Sequence, residues 1–352
     1  MLTESEAPEE LGLAGLDGGH YTEASYDFYG VKVRIRSEDA GVVSGLNSVY
    51  HFFRDYDVEY PHLEMTIRVK ERPHPLGKNL VFARVPASFD GWRTALLNKF
   101  GPCSGWKKAT SYIQEVAVPD PSGEGHHFYQ INEIDSTYID LTAGVEFLVF
   151  HFVMHFLPQL SLVHAGVVGK NGQALLISGP PNSGKSVLSY ALVRSGFRYL
   201  SDEFGLFAPA SLEVFPFPRG ISFKPEAASL FPELGAVLES DDVVWRQEKR
   251  HLVSLNNLGF PVTREPARAS FLFLLSRQDS ALPRLTPIAA PEATERLLKA
   301  GNFWTIAPRE SRSFTRTEAA ARLCDNARCY ELLSGDLDRT VALVTSVCDD
   351  GL

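Results

Sequence analysis

One short stretch, GPPNSGKS at residues 179–186, limits what this chain can fold into more than any other. Its spacing, G-x-x-x-x-G-K-S, is that of a phosphate-binding loop. In such a loop backbone N–H groups wrap the phosphates, a Lys meets their charge and a Ser hydroxyl coordinates Mg²⁺. The loop follows the apolar run QALLIS and precedes Val187, Leu188, Ala191 and Leu192, which share one helical face. Gly196 then stands where a C-terminal cap belongs. Strand, loop and helix in that order predict an α/β fold with a nucleotide site at Gly179, Pro180, Pro181, Asn182, Ser183, Gly184, Lys185, Ser186 and Val187.

The flanking runs extend the pattern. SLVHAGVV and QALLIS are separated by Asn171-Gly172, a dipeptide suited to a type I′ hairpin turn, so both read as strands with His164 in the middle of the first. FRYLSDE reads as the strand after the helix. A right-handed crossover returns it beside the strand that feeds the loop and brings Asp202 and Glu203 to the phosphate end. Two carboxylates beside a triphosphate call for a cation between them. One acid can bind Mg²⁺ while the other takes the proton of an attacking hydroxyl. Arg219 and Lys224 lie among prolines and aromatics, where they could hold a transferred phosphate or an anionic substrate. Arg246, Lys249, Arg250 and His251 form a second local basic cluster.

The remainder of the chain bounds the function by exclusion. With 352 residues, 44% of them hydrophobic, there is ample material for more than one core, while a formal net charge of -9 argues against nucleic acid as a partner. Cys103, Cys324, Cys329 and Cys348 lack zinc or disulfide spacing and read as reduced thiols of a cytoplasmic protein. Residues 1–20 read as a loose arm without the features of a secretion signal. Residues 143–157 are apolar but contain Glu146, His151 and His155 and end at Pro158, which predicts a buried helix and no membrane span. The histidines are spaced like a metal pair without the Glu of H-E-x-x-H, and read as structural. Residues 21–158 show short alternating strands around a helix that carries Val42, Val43, Leu46, Val49, Tyr50 and Phe53 behind a Ser37 cap. This predicts a smaller α+β N-terminal domain before a catalytic domain at 159–352. A turn-rich segment, PDPSGEG, marks a hairpin flanked by His126 and His127, read as surface histidines.

Taken together, VHAGVV, GPPNSGKS and SGFRYLSDE resemble the catalytic domain of the HPr serine kinase/phosphorylase family, and more closely its HPr-kinase-related branch. PFPRGISFK, DDVVWRQEKRHLVSL, FLFLLSR and CYELLSGDLDRTVALV extend the likeness over roughly 160–347. The resemblance implies a phosphate-loop domain with a mixed sheet, a fold shared with phosphoenolpyruvate carboxykinase. It implies ATP and Mg²⁺ as cofactors and a peptide or protein hydroxyl as acceptor, and it suggests a homo-oligomer. By the same resemblance Lys185 binds the β- and γ-phosphates, Ser186 and Glu203 hold Mg²⁺, Asp202 is the leading candidate base and His164 orients the acidic centre or the substrate. The sequence departs from the family in two places. Asp202-Glu203 stands where the HPr kinases have two aspartates, and the Arg/Gly-rich motif of the reverse reaction is reduced to Arg219-Gly220, so phosphorylase activity is not expected. A small-molecule kinase and a non-catalytic nucleotide-binding scaffold are the competing readings.

Overall fold

A computed structural model describes residues 20–59, 61–74, 77–86, 111–116, 126–133, 141–240, 243–247, 250–260, 262–277, 282–305 and 312–349. The chain forms two compact units, Met1–Val153 and Met154–Leu352.

In the first unit, strands β1 (Thr22–Phe28), β2 (Val31–Ser37), β3 (Leu63–His74), β4 (Gly77–Pro86), β5 (Ser111–Val116) and β6 (His126–Glu133) form a sheet in the order β1-β2-β3-β4-β6-β5. Pairing is antiparallel except between β2 and β3, which are joined across helix α1 (Ala40–Val49). Alternation in β2 buries Val31, Val33 and Ile35, and α1 lays Val42, Val43, Leu46 and Val49 on that core. Tyr50 and Phe28 meet edge to face, 4.9 Å between centroids. The cap of α1 differs from expectation. Asp39, not Ser37, accepts the Gly41 N–H, while Ser37 ends β2 and its hydroxyl accepts the Asp39 N–H; the shorter reach from Asp39 to the first turn decides it.

The expected hairpin is formed by β5 and β6; its loop, and the side chains of His126 and His127, lie outside the described residues. The expected apolar helix is α2 (Leu141–His155). It buries Glu146, whose carbonyl and carboxylate both accept from the Tyr50 hydroxyl, at 3.0 and 3.4 Å. Burial lowers the His155 pKa to about 4, which keeps its ring neutral near pH 7; the His151 side chain lies outside the description. Among the described residues, no helix is long and apolar enough to cross a membrane.

The second unit is α/β, built on a large mixed sheet. Its strands are β7 (Ser161–Val163), β8 (Ala165–Lys170), β9 (Gln173–Ser178), β10 (Arg198–Ser201), β11 (Gly205–Ala208), β12 (Glu213–Phe215), β16 (Ala267–Arg277), β17 (Arg284–Pro287), β18 (Phe303–Trp304) and β19 (Arg328–Ser334). The main path runs β10-β8-β9-β16-β12-β11-β7-β18, with β19 parallel to β16 and β17 antiparallel to β19. Residues β7 and β8 were expected to share become two strands here. His164 alone separates them, yet they lie near opposite ends of the path, so the sheet curls back on itself. At the break the His164 N–H still continues the β7–β18 ladder, donating to the Asn302 carbonyl at 2.7 Å, while Ala165 already pairs with Ser178 of β9.

The β8–β9 hairpin forms as expected, with Asn171 and Gly172 at φ of 52° and 75°. FRYLSDE does not return directly beside the loop strand: β10 pairs with β8 in antiparallel fashion, so β8 stands between β10 and β9. The hairpin already occupies the edge of β9, and the crossover must pass one strand further.

Helix α3 (Lys185–Arg194) ends in a Schellman motif, in which Gly196 at φ 101° donates to the Val193 carbonyl and Phe197 donates to that of Leu192. A separate three-stranded sheet, β13 (Ile221–Phe223), β15 (Arg250–Val253) and β14 (Val243–Gln247), follows the acidic segment. Helices α4 (Pro232–Glu239), α5 (Leu255–Leu258), α6 (Ala290–Lys299), α7 (Arg316–Asn326) and α8 (Leu337–Asp349) are the other α-helices among the unit's described residues. Leu176, Phe207, Leu272, Leu297, Phe303 and Leu323 join one buried cluster between sheet and helices. Cys324, Cys329 and Cys348 are free thiols, all buried.

Candidate phosphate-binding site

Strand β9 delivers the chain into the loop at Gly179. No side chain fits there, because a Cβ would stand 2.4 Å from the Leu275 carbonyl oxygen on the neighbouring strand β16. Asn182 and Gly184 take left-handed backbone, φ 66° and 98°, which folds the loop over the start of α3. Pro180, Pro181 and Asn182 are exposed, Ser183 is buried, and Ser186 and Val187 are half-buried. Lys185 is only 9% exposed, and its ammonium donates to the Gly179 and Pro180 carbonyls at 3.0 and 3.1 Å. The loop therefore closes around its own lysine. The first N–H groups of α3, which have no intrahelical acceptor, add a partial positive charge at the same end.

The acidic pair divides. Asp202, 2% exposed, accepts from the Ser186 hydroxyl at 3.0 Å to Oδ2 and more distantly from the Ser222 N–H at 3.5 Å. Burial, reinforced by the Glu203 carboxylate, pushes its pKa up to about 6 against the opposing pull of Ser186, Arg219 and Ser222. Glu203 sits at φ 69°, a left-handed conformation that is strained for a side chain of this size. Its carboxylate lies 3.6 Å from Arg219 Nη1. Arg219 is buried, with its guanidinium 5.0 Å from the Phe204 ring centroid and its carbonyl accepting from the Tyr199 hydroxyl at 3.1 Å. Adjacent acids thus have different partners, the loop serine for one and an arginine for the other.

His164 stands at the start of β8, the strand between the acid strand and the loop strand. Its ring stacks on Trp304 at 5.7 Å and 22°, and its carbonyl accepts from the Ser178 hydroxyl at 3.0 Å. Lys224 is exposed just after β13. Register places Phe223 opposite His251 and His251 opposite Arg246, with Arg250 one residue before His251. The backbones of Lys224, Arg246 and Arg250 therefore gather at one end of the three-stranded sheet. Ser222, the middle residue of β13 and two positions before Lys224, donates its N–H to Asp202 from the same sheet.

Ser222 and Asn302 belong to this site and were missed in the sequence. Both reach it through long-range contacts, and the only local sign at Asn302 is the preceding Gly301, another left-handed helix end at φ 67°. A cavity of about 270 Å³ opens at the far end of α3 between Ala191, Arg194, Phe231 and Leu337, well away from the loop.

Mg²⁺ fits the donor set. Ser186, Asp202 and Glu203 offer hard oxygen atoms, and the Ser222 hydroxyl is buried without a hydrogen-bond partner beside them. A buried carboxylate with a raised pKa is also the group that gains most from a cation. Neither a known protein-family model nor a curated protein matches this chain.

Proposed function

We propose that this protein is an ATP-dependent kinase that transfers the γ-phosphate to a hydroxyl, that of a Ser in a peptide or protein, within a peptide-modification system. The observation that carries the proposal is the 3.0 Å contact between Ser186, at the loop's helix start, and the buried Asp202. It joins a phosphate cradle to a carboxylate whose raised pKa suits proton transfer. The peptide acceptor rests on the resemblance to the HPr-kinase-related branch.

On this reading the loop N–H groups and Lys185 bind the β- and γ-phosphates. Ser186 and Glu203 would hold Mg²⁺, whose charge would stabilise the phosphoryl oxygens in the transition state. The acceptor hydroxyl attacks in line. Its proton passes to Asp202, a new O–P bond forms, the bond from the γ-phosphorus to the bridging oxygen breaks, and ADP leaves. Arg219 pairs with Glu203, while His164 meets Ser178, the last residue of the loop strand. The Ser186 contact also supports the converse division, with Asp202 on the metal and Glu203 as base.

The test is transfer of labelled γ-phosphate from MgATP to peptides and metabolites of a cell extract, with Asp202→Asn as control and mass spectrometry of the product. A phosphorylated peptide Ser that depends on Asp202 is expected. Label only on free metabolites would replace the acceptor class, and MgATP binding without transfer would leave a scaffold.

A further inference from the structure

Three elements that are distant in sequence meet at Asn302, which is 6% exposed. Its N–H donates to the Leu297 carbonyl at 3.1 Å and closes the Schellman end of α6, where Gly301 takes the left-handed position. Its carbonyl accepts the His164 N–H at the break between β7 and β8. With both backbone groups engaged, the side chain is aimed rather than free. Its Nδ2 donates to the Ser178 hydroxyl and to the Gly179 carbonyl, each at 3.2 Å.

The Gly179 carbonyl thus has two donors, the Asn302 amide and the Lys185 ammonium. They are not equivalent. A lysine on a four-carbon stem follows the strongest nearby anion, and a phosphate outcompetes a neutral carbonyl for it. The amide is neutral, short and fixed by its backbone. We propose that Asn302 is a positioning residue of the phosphate loop, holding the Gly179 carbonyl, and the Ser178 hydroxyl beside it, in place when Lys185 leaves that carbonyl for a bound phosphate. Without it, that carbonyl would lose both donors at the moment of binding, and the loop would have to rearrange to rehydrate it. The inference rests on the nucleotide reading above and adds the residue through which the loop keeps its shape.

The experiment compares the unmodified chain with Asn302→Asp, which keeps the size but loses the donors, and with Asn302→Ala. MgADP is titrated by calorimetry, and melting is followed with and without it. Weakening of MgADP binding by about tenfold or more is expected in both variants, with a smaller rise in melting temperature on ligand addition. Unchanged affinity, even with a uniformly lower melting temperature, would mean that Asn302 serves stability alone, and would overturn the inference while leaving the kinase reading intact. Absence of MgADP binding by the unmodified chain would overturn both. Should the variants fail to fold, the Asn302 side-chain amide protons of the unmodified protein, read by NMR after selective labelling, decide the matter. Continued protection on MgADP addition supports the role, and loss of protection refutes it.

Discussion

Replacing Asp202 by Asn should stabilise the ligand-free protein while disabling it. The carboxyl is almost fully buried, and its pKa rises from 3.8 to about 6, with burial as the largest cause. The folded state therefore binds this proton more tightly than the unfolded chain does. Below the unfolded value both states hold it and no penalty arises. As pH rises through the folded value the protonated native form is lost, and above it the buried charge destabilises the fold in full. A difference of about two units corresponds to roughly 3 kcal/mol. Asn keeps the shape and can accept from Ser186 or Ser222, whose bonds to the charge are already part of that shift; the cost left is an amide N–H₂ placed among groups that donate, about 1 kcal/mol. The net expectation is a gain of about 1–2 kcal/mol, or about 2–8 °C in melting temperature for a unit of this size.

The assay is thermal unfolding of both proteins from pH 4 to pH 8, with chelator and no nucleotide. The variant should lead at pH 7–8, and the lead should shrink as pH falls through 6 toward 4. Adding MgADP should narrow or reverse the lead, because the cation relieves the buried charge of the original protein and the variant has none to relieve. A variant that is less stable at pH 8, or a difference that does not move with pH, would refute the claim that Asp202 is a strained buried charge awaiting a cation.

Gly179→Ala places a Cβ 2.4 Å from the Leu275 carbonyl, so strand β16 or the loop must move; MgADP affinity by calorimetry should fall more than tenfold (roughly, for the loss of two or more loop hydrogen bonds). Lys185→Ala removes an ammonium held by two loop carbonyls, and should weaken both MgATP binding and transfer by at least about tenfold with little change in fold by circular dichroism. Thr315→Ala breaks the capping box with Glu318 at the start of α7 and should cost about 1 kcal/mol in denaturant unfolding, with MgADP affinity unchanged. At Gly166 a Cβ would lie 2.1 Å from Ser189 Oγ and 3.6 Å from Asp202 Oδ1. Gly166→Ala should therefore weaken MgADP binding, and adding Ser189→Ala should restore part of it.

What the sequence made legible is what short range controls. The Asn171-Gly172 turn, the glycine that ends α3 and the place of residues 179–184 between strand and helix are set by backbone preferences within a few residues, and all formed as read. The same local logic failed at Ser37, because Asp39 offers a better-placed oxygen to the same helix. Strand order was not legible. Pairing β10 with β8 instead of β9 depends on which edge the β8–β9 hairpin has already filled, which is a property of the assembled sheet. Ser222 and Asn302 were invisible for the same reason, since Asn302 meets Ser178 across 124 positions.

That misplaced strand bears on the site. With β8 between them, the loop strand and the acid strand are two strand spacings apart, close to 10 Å. Neither strand end alone bridges that distance; Ser186, a residue into the helix, does so by crossing over β8 to meet Asp202. The crossing requires β8 to be thin beneath the helix, and Gly166 lies under Ser189, one turn further along α3. Gly166, the second residue of β8, is therefore part of the site's geometry. It sets how closely the phosphate cradle can approach the buried acid, although it belongs to neither.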